Sequence, residues 1–186
     1  DVGLMGMYVL DCRSLEELAR ILGRGEDIER LRACRETVEA AILRLWSPER
    51  KIFCNRRTDT GELSGRISPT SFYALLADGV TGEQKRAMLG AWFSTEGRFG
   101  GRFMLPALPR DDPAYARQQA EKFSGRAWPP VNYPVYLALK HGGLDAECAE
   151  LAQESEVLLL RGWQVHRHVH ENYDAESGFG DDRTGS

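Results

Sequence analysis

No basic stripe, no long apolar run and no C-x-x-C pair occurs in this 186-residue sequence, and each absence closes a class of function. Net charge is only −4, with Arg and Glu interspersed, so the footprint that nucleic acid binding requires is missing. No apolar run approaches the ~18 residues of a membrane span, and no signal-peptide pattern opens the chain. The expected setting is therefore the cytoplasm, with neither nucleic acid nor membrane as partner. The four cysteines, Cys12, Cys34, Cys54 and Cys148, are scattered. Cys34 and Cys148 fall on apolar helical faces, which predicts buried free thiols in a reducing compartment rather than disulfides. Low-complexity segments and fixed-period repeats are missing too. What remains, at 42% hydrophobic residues, suits one domain over 1–186 with a real core. An initiator Met is also lacking. Asp1-Val2-Gly3-Leu4 runs straight into an apolar segment, so the chain is expected to be a piece of a longer polypeptide.

Helical periodicity dominates what is there. Leu4, Met7, Tyr8, Leu15, Leu18, Ala19 and Leu22 predict a helix over 4–22 that Gly23 stops. Ile28, Leu31, Val38, Ala41, Ile42 and Leu45 recur at threes and fours over 26–46, a stripe to be buried, before Pro48. Residues 50–68 carry turn residues and a short Ile-Phe run, read as a loop or small hairpin. A short helix is expected at about 69–77. Thr81 and Gln84 form a plausible capping box for another over 82–93. The segment 94–113 is long and rich in Gly, Pro and Arg, but Phe99, Phe103, Met104 and Leu105 argue that it is ordered. Helices at about 131–141 and 144–162 flank Gly142-Gly143, the pattern is lost from Gln164, and the tail DDRTGS at 181–186 is expected to fray. Roughly six antiparallel helices then alternate short turns with long loops. The long loops would gather at one rim. An ordinary all-α bundle fits the periodicity equally well.

Two segments carry chemistry. RHVHENYDAESGFG at 167–180 sets Glu171 among His170, Asn172 and Tyr173, which can hydrogen-bond a carboxylate or a water. An inverting glycosidase needs such a carboxylate to take a proton from water, with a second acid on the far side of the bond. On residue types alone an exposed turn glutamate fits as well. GRAWPPVNY at 125–133 fixes Trp128 at a helix entrance, because Pro biases the residue before it towards extended geometry. Its flat face suits a pyranose ring, although a core tryptophan before a Pro-initiated helix is the plainer reading. Gly125 would add close backbone approach and Arg126 a charged donor.

Other groups compete. His166, His168 and His170 alternate, so on a strand they would share one face like the ligands of a three-His zinc site, which makes a zinc enzyme one alternative. No further Cys or Asp completes that motif, and Arg167 between them opposes a divalent ion. Asp111-Asp112 before Pro113 is read as a solvated, capped turn, and Asp59 and Glu62 are no better candidates for a second acid.

Taken together, GRAWPPVNY, the helix pair after it and HVHENYDAESGFGDD at 168–182 resemble mannosylglycerate hydrolase-like proteins of glycoside hydrolase family 63, and more distantly family 37 trehalases. The opening DVGLMGMYVLDCRSLEELARILG and the loop LPALPRDDPAY at 105–115 are similar to the same group. The resemblance implies an all-α, partial (α/α)6 toroid, roughly the C-terminal half of the barrel. It implies an inverting α-glycosidase that uses neither cofactor nor metal and acts on a small α-glucoside or α-mannoside. Glu171, in the E-N-Y motif, is implied as general base. Trp128, Gly125, Phe123, Arg126, Asn132 and Tyr173 are implied to line or orient the sugar. Lys122-Phe123 stands where relatives commonly have Tyr-Trp, and His170 where they have Tyr. The general-acid motif E-S-G-x-D-N-S-P does not occur, so that acid is expected upstream of Asp1. A helical scaffold that keeps the family's shape without catalysis is the alternative.

Overall fold

A computed structural model describes residues 1–103, 105–115 and 124–182. Its helices begin and end where the chain supplies caps and turns. The Asp1 carboxylate accepts from the Leu4 amide and opens α1, Val2–Ile21. Gly23, at φ +68°, then reverses the chain into α2, Gly25–Leu43. Strands β1 (Trp46–Ser47) and β2 (Ile52–Phe53) pair antiparallel, so the expected small hairpin is present. A 3-10 helix, Pro69–Leu76, follows with its proline in the first turn. The Thr81–Gln84 capping box is formed in both directions and starts α3, Gly82–Met88. The remainder of the expected 82–93 helix winds into a π turn over Leu89–Phe93. Strand β3 (Arg126–Ala127) leads into α4, Pro129–His141, and Gly142-Gly143 separate it from α5, Asp145–His166. Two further strands, β4 (Asn172–Asp174) and β5 (Gly180–Asp181), lie where the helical pattern was lost.

The 3-10 helix is packed between α1 and α4, with α2 on α1 and α5 on α4. This is an arc of helical hairpins, the expected partial toroid. Short turns meet at one end, where Asp78 bonds Arg13, Arg35 and His141, and Lys85 Nζ donates to the Gly142 carbonyl at 2.9 Å. Long loops meet at the other. There the Val2 amide donates to Asn55 Oδ1 at 2.7 Å, and Trp92 Nε1 to the Arg50 carbonyl at 2.7 Å. The core runs along the 3-10 helix, where Phe72 stands edge-on to Phe93 and Phe99 and fully buried Leu75, Leu76, Ile52 and Met88 fill the space.

The covered faces differ from the apolar stripes. Of the α2 stripe, Ile42 and Leu45 are buried, whereas Ile28, Leu31, Val38 and Ala41 stay half-buried. On α1, Leu4, Tyr8, Leu15, Leu18 and Leu22 lie outside the core; Leu4 is 74% exposed and Leu22 70%. Instead α1 packs through Gly3, Gly6, Val9, Cys12 and Ala19. The cause is close backbone approach: a Cβ at Gly6 would lie 2.5 Å from the Tyr73 carbonyl oxygen. Cys34 also departs from its expected burial. It is exposed, whereas Cys12, Cys54 and Cys148 are buried, all four as free thiols.

Candidate active site

Three short strands build the site. β3 pairs antiparallel with β4 through Arg126↔Asp174 and Ala127↔Tyr173. β4 pairs with β5 through Asn172↔Asp181 and Tyr173↔Gly180. Sequence positions far apart, GRAW and ENYD, therefore run side by side at the end of the arc that carries the long loops. Gly125 enters β3 at φ +146°, a conformation that side chains other than hydrogen resist. Trp128 leaves it at φ −121° and ψ 104°, extended as the following Pro requires, and stands half-buried as the N-cap of α4.

Glu171 precedes β4, half-buried, and its amide donates to Asp182 Oδ1 at 2.9 Å. The other carboxylate oxygen of Asp182 contacts His168 Nε2 at 2.7 Å and His170 Nδ1 at 2.9 Å. Those imidazoles and the Glu171 amide hold the Asp182 carboxyl down at about 2. The turn that delivers Glu171 begins at Arg167, whose φ of +60° ends α5 in a left-handed cap. Below it, the Asp174 carboxylate accepts from the Ser177 amide at 2.6 Å and its hydroxyl at 2.7 Å, fixing the β4–β5 hairpin. Glu176 on that hairpin accepts from Arg110 Nε at 2.6 Å and from the Tyr115 hydroxyl at 2.8 Å. The 94–113 loop is thus tied to the hairpin, and Phe99, Phe103 and Leu105 are buried beneath it.

Several of the residues expected to contact sugar also bond within the frame. Arg126 is 5% exposed, and its guanidinium donates to Asn172 Oδ1 and, at 3.1 Å, to the Phe179 carbonyl. Tyr173 is wholly buried, its hydroxyl accepting from the His170 amide at 2.8 Å. Both are thus bonded within the hairpin that follows Glu171. Asn132 donates through Nδ2 to the Leu105 carbonyl at 2.9 Å, while its buried Oδ1 has no hydrogen-bond partner among the described residues. It borders a cavity of about 260 Å³ between α4 and α5, beside Tyr133, Tyr136 and Leu159. Phe123 and Lys122 lie outside the described residues, as does Met104.

The three histidines are not on a strand. His166 is the last residue of α5, yet the turn still gathers the rings, with centroids 5.0 Å apart for His166–His170 and 4.3 Å for His168–His170. Asp111 pairs with Arg98 at 3.0 Å, Asp112 caps the Ala114 amide at 2.8 Å, and Asp59 is engaged by Arg57. These acids behave as capped, solvated turns. Asp182 is the residue that sequence reasoning missed. It sat in a tail expected to fray, and only pairing of β5 with β4 brings it opposite Glu171.

Residues 1–185 match the family described as the mannosylglycerate hydrolase MGH1-like glycoside hydrolase domain. The chain belongs to that family. A search of curated proteins finds no match. Among solved structures, this glycoside hydrolase domain is similar to the family 63 mannosylglycerate hydrolase of Thermus thermophilus. In the Tris complex the TM-score is 0.83 at 22% identity, over 100% of this chain and 42% of that one. In the glucose complex the TM-score is 0.81 at 22% identity, over 100% and 44%. A neutral trehalase from Saccharomyces cerevisiae gives 0.63 at 19% identity, over 82% of this chain and 28% of that one. The domain thus spans less than half the length of these relatives, and the likeness fixes its fold as part of a six-hairpin toroid. Among the described residues no helix is long and apolar enough to cross a membrane.

Proposed function

We propose that this chain is the base-bearing part of an inverting α-glycosidase acting on a small α-glucoside or α-mannoside, of mannosylglycerate, glucosylglycerate or trehalose type. The observation that carries the reading is the β3–β4–β5 ladder. It sets the Trp128 and Glu171 segments side by side at the long-loop end, with the Glu171 amide fixed by Asp182. Glu171 takes the proton from a water that attacks the anomeric carbon from the face opposite the leaving group. The leaving oxygen is protonated by an acid outside this chain, on a segment that completes the toroid. In this scheme the two carboxyl groups stand about 6.5–9.5 Å apart to leave room for that water. Trp128 offers its ring face to the sugar, with Gly125 allowing close backbone approach. Asn132 Oδ1 accepts from a sugar hydroxyl. Arg126 and Tyr173 act through the hairpin they hold, keeping Glu171 within reach of the water.

Two carboxylates suffice for this chemistry. By itself the chain supplies one, so it is expected to be a poor enzyme until joined to the rest of the toroid. The test is to follow hydrolysis of an α-linked substrate by the intact protein with NMR. On mannosylglycerate or glucosylglycerate the released sugar should appear first as the β-anomer, and on trehalose one β- and one α-glucose should appear together. First appearance of the α-anomer alone would contradict the inverting scheme, and no turnover on trehalose, mannosylglycerate or glucosylglycerate would favour the scaffold alternative.

A further inference from the structure

We propose that His168, His170 and Asp182 form a binding site for one divalent transition-metal ion of the zinc class, beside but separate from the hydrolytic chemistry. The three donor atoms lie within 4.8 Å of one another. His168 Nε2 and His170 Nδ1 both approach the same oxygen, Asp182 Oδ2, at 2.7 and 2.9 Å. Without an ion, each ring nitrogen must carry a proton directed at that oxygen. A cation at the centre of the triangle replaces both protons. Zinc bonds of about 2.0–2.1 Å to nitrogen and oxygen put tetrahedral donors about 3.3 Å apart, so the two nitrogen–oxygen sides open by only about half an ångström. Two imidazoles and a carboxylate favour zinc, nickel or copper over magnesium or calcium, which prefer all-oxygen shells.

Two of the three donors are held in advance. The His170 side chain is 7% exposed, and its ring lies flat on β5 because position 180 is glycine: a Cβ there would fall 2.0 Å from His170 Cδ2. Its amide is bonded to the Tyr173 hydroxyl, and the Tyr173 ring stands edge-on to the imidazole at 5.7 Å. Asp182 is oriented by the Glu171 amide on Oδ1, which leaves Oδ2 for the ion, the kind of outer bond that orients metal ligands. His168 is half exposed and free to close on the ion. Water or His166, its ring 5.0 Å from that of His170, can fill the fourth position. Asp181 adds a neighbouring negative charge, against the exposed cation Arg167.

The ion is detected directly, so the test stands whether or not the glycosidase reading does. Tag-free full-length protein is titrated with Zn²⁺ by calorimetry and with Co²⁺ by visible absorption. One ion per chain should bind. His168→Ala and Asp182→Ala should each weaken uptake by at least about 100-fold, beyond the 10–100-fold that outer partners cost. His141→Ala, at the opposite end of the arc, should leave it unchanged. His168 is exposed, so its variant tests the site without threatening the fold. Absence of saturable one-to-one uptake, or equal uptake by wild type and His168→Ala, would overturn the site, as would equal weakening by His141→Ala.

Discussion

Between Pro69 and Leu76 the 3-10 helix buries seven of its eight residues, while α1, packed against it, leaves Leu4, Tyr8, Leu15, Leu18 and Ile21 in solvent. Both segments are apolar; what differs is how much of each is covered, since α1, though packed on both α2 and the 3-10 helix, keeps one face open. The 3-10 helix has α1 on one side and α4 on the other. α1 meets it through a glycine face and turns its leucines outward. The far flank repeats the pattern, with Val157, Leu160 and Trp163 of α5 exposed. Exposed apolar side chains on both flanks fit faces that further helices would cover. A finished middle between unfinished flanks is what an arc of a larger toroid presents, in keeping with a chain that spans 42% of the mannosylglycerate hydrolase it matches.

Substitutions can break or sharpen this contrast. Phe72→Ala, in the doubly flanked element, should cost about 3–5 kcal/mol in chemical denaturation. Gly6→Ala should cost about 1–3 kcal/mol by pushing α1 off the Tyr73 carbonyl. Removing the Thr81 cap should cost about 1 kcal/mol and lower the helical signal of α3 alone. Leu18→Ala should stay within about 0.5 kcal/mol in this chain, against about 2–5 kcal/mol in a protein whose further helices cover that flank. A large loss in this chain would mean that the α1 face is already covered, by self-association for instance, and the contrast would fail. A pH-dependent effect of a different kind concerns Glu154 on α5. Burial, then repulsion from Glu150, pushes its carboxyl up to about 7 from an ordinary 4.5. The folded state therefore holds that proton more tightly than the unfolded one. Stability should fall as pH rises from 4.5 to about 7, a slope that Glu154→Gln removes from melting curves.

The helices were legible because their punctuation is local. Gly23, the Thr81–Gln84 box, Pro129 and the Gly142-Gly143 pair each act within a turn or two of where they stand. Which face of α1 is covered was not legible, since periodicity reports an apolar stripe but not whether this chain supplies its partner. β3, β4 and β5 are two or three residues long, too short for alternation to register. With them went the pairing that brings Asp182 to Glu171. For the candidate site, the motifs named Glu171 and Trp128, and the fold added their adjacency. The family resemblance implied sugar contacts for Arg126 and Tyr173; that both are buried and bonded within the β3–β4 frame is a feature only packing shows.

The most direct test is Glu171→Gln in the intact protein, with kcat and KM measured separately on the preferred α-glycoside. Removal of a general base should lower kcat by about 10²–10⁴-fold and leave KM nearly unchanged. Near-wild-type kcat in a folded variant would contradict the assignment of Glu171 and the reading built on it.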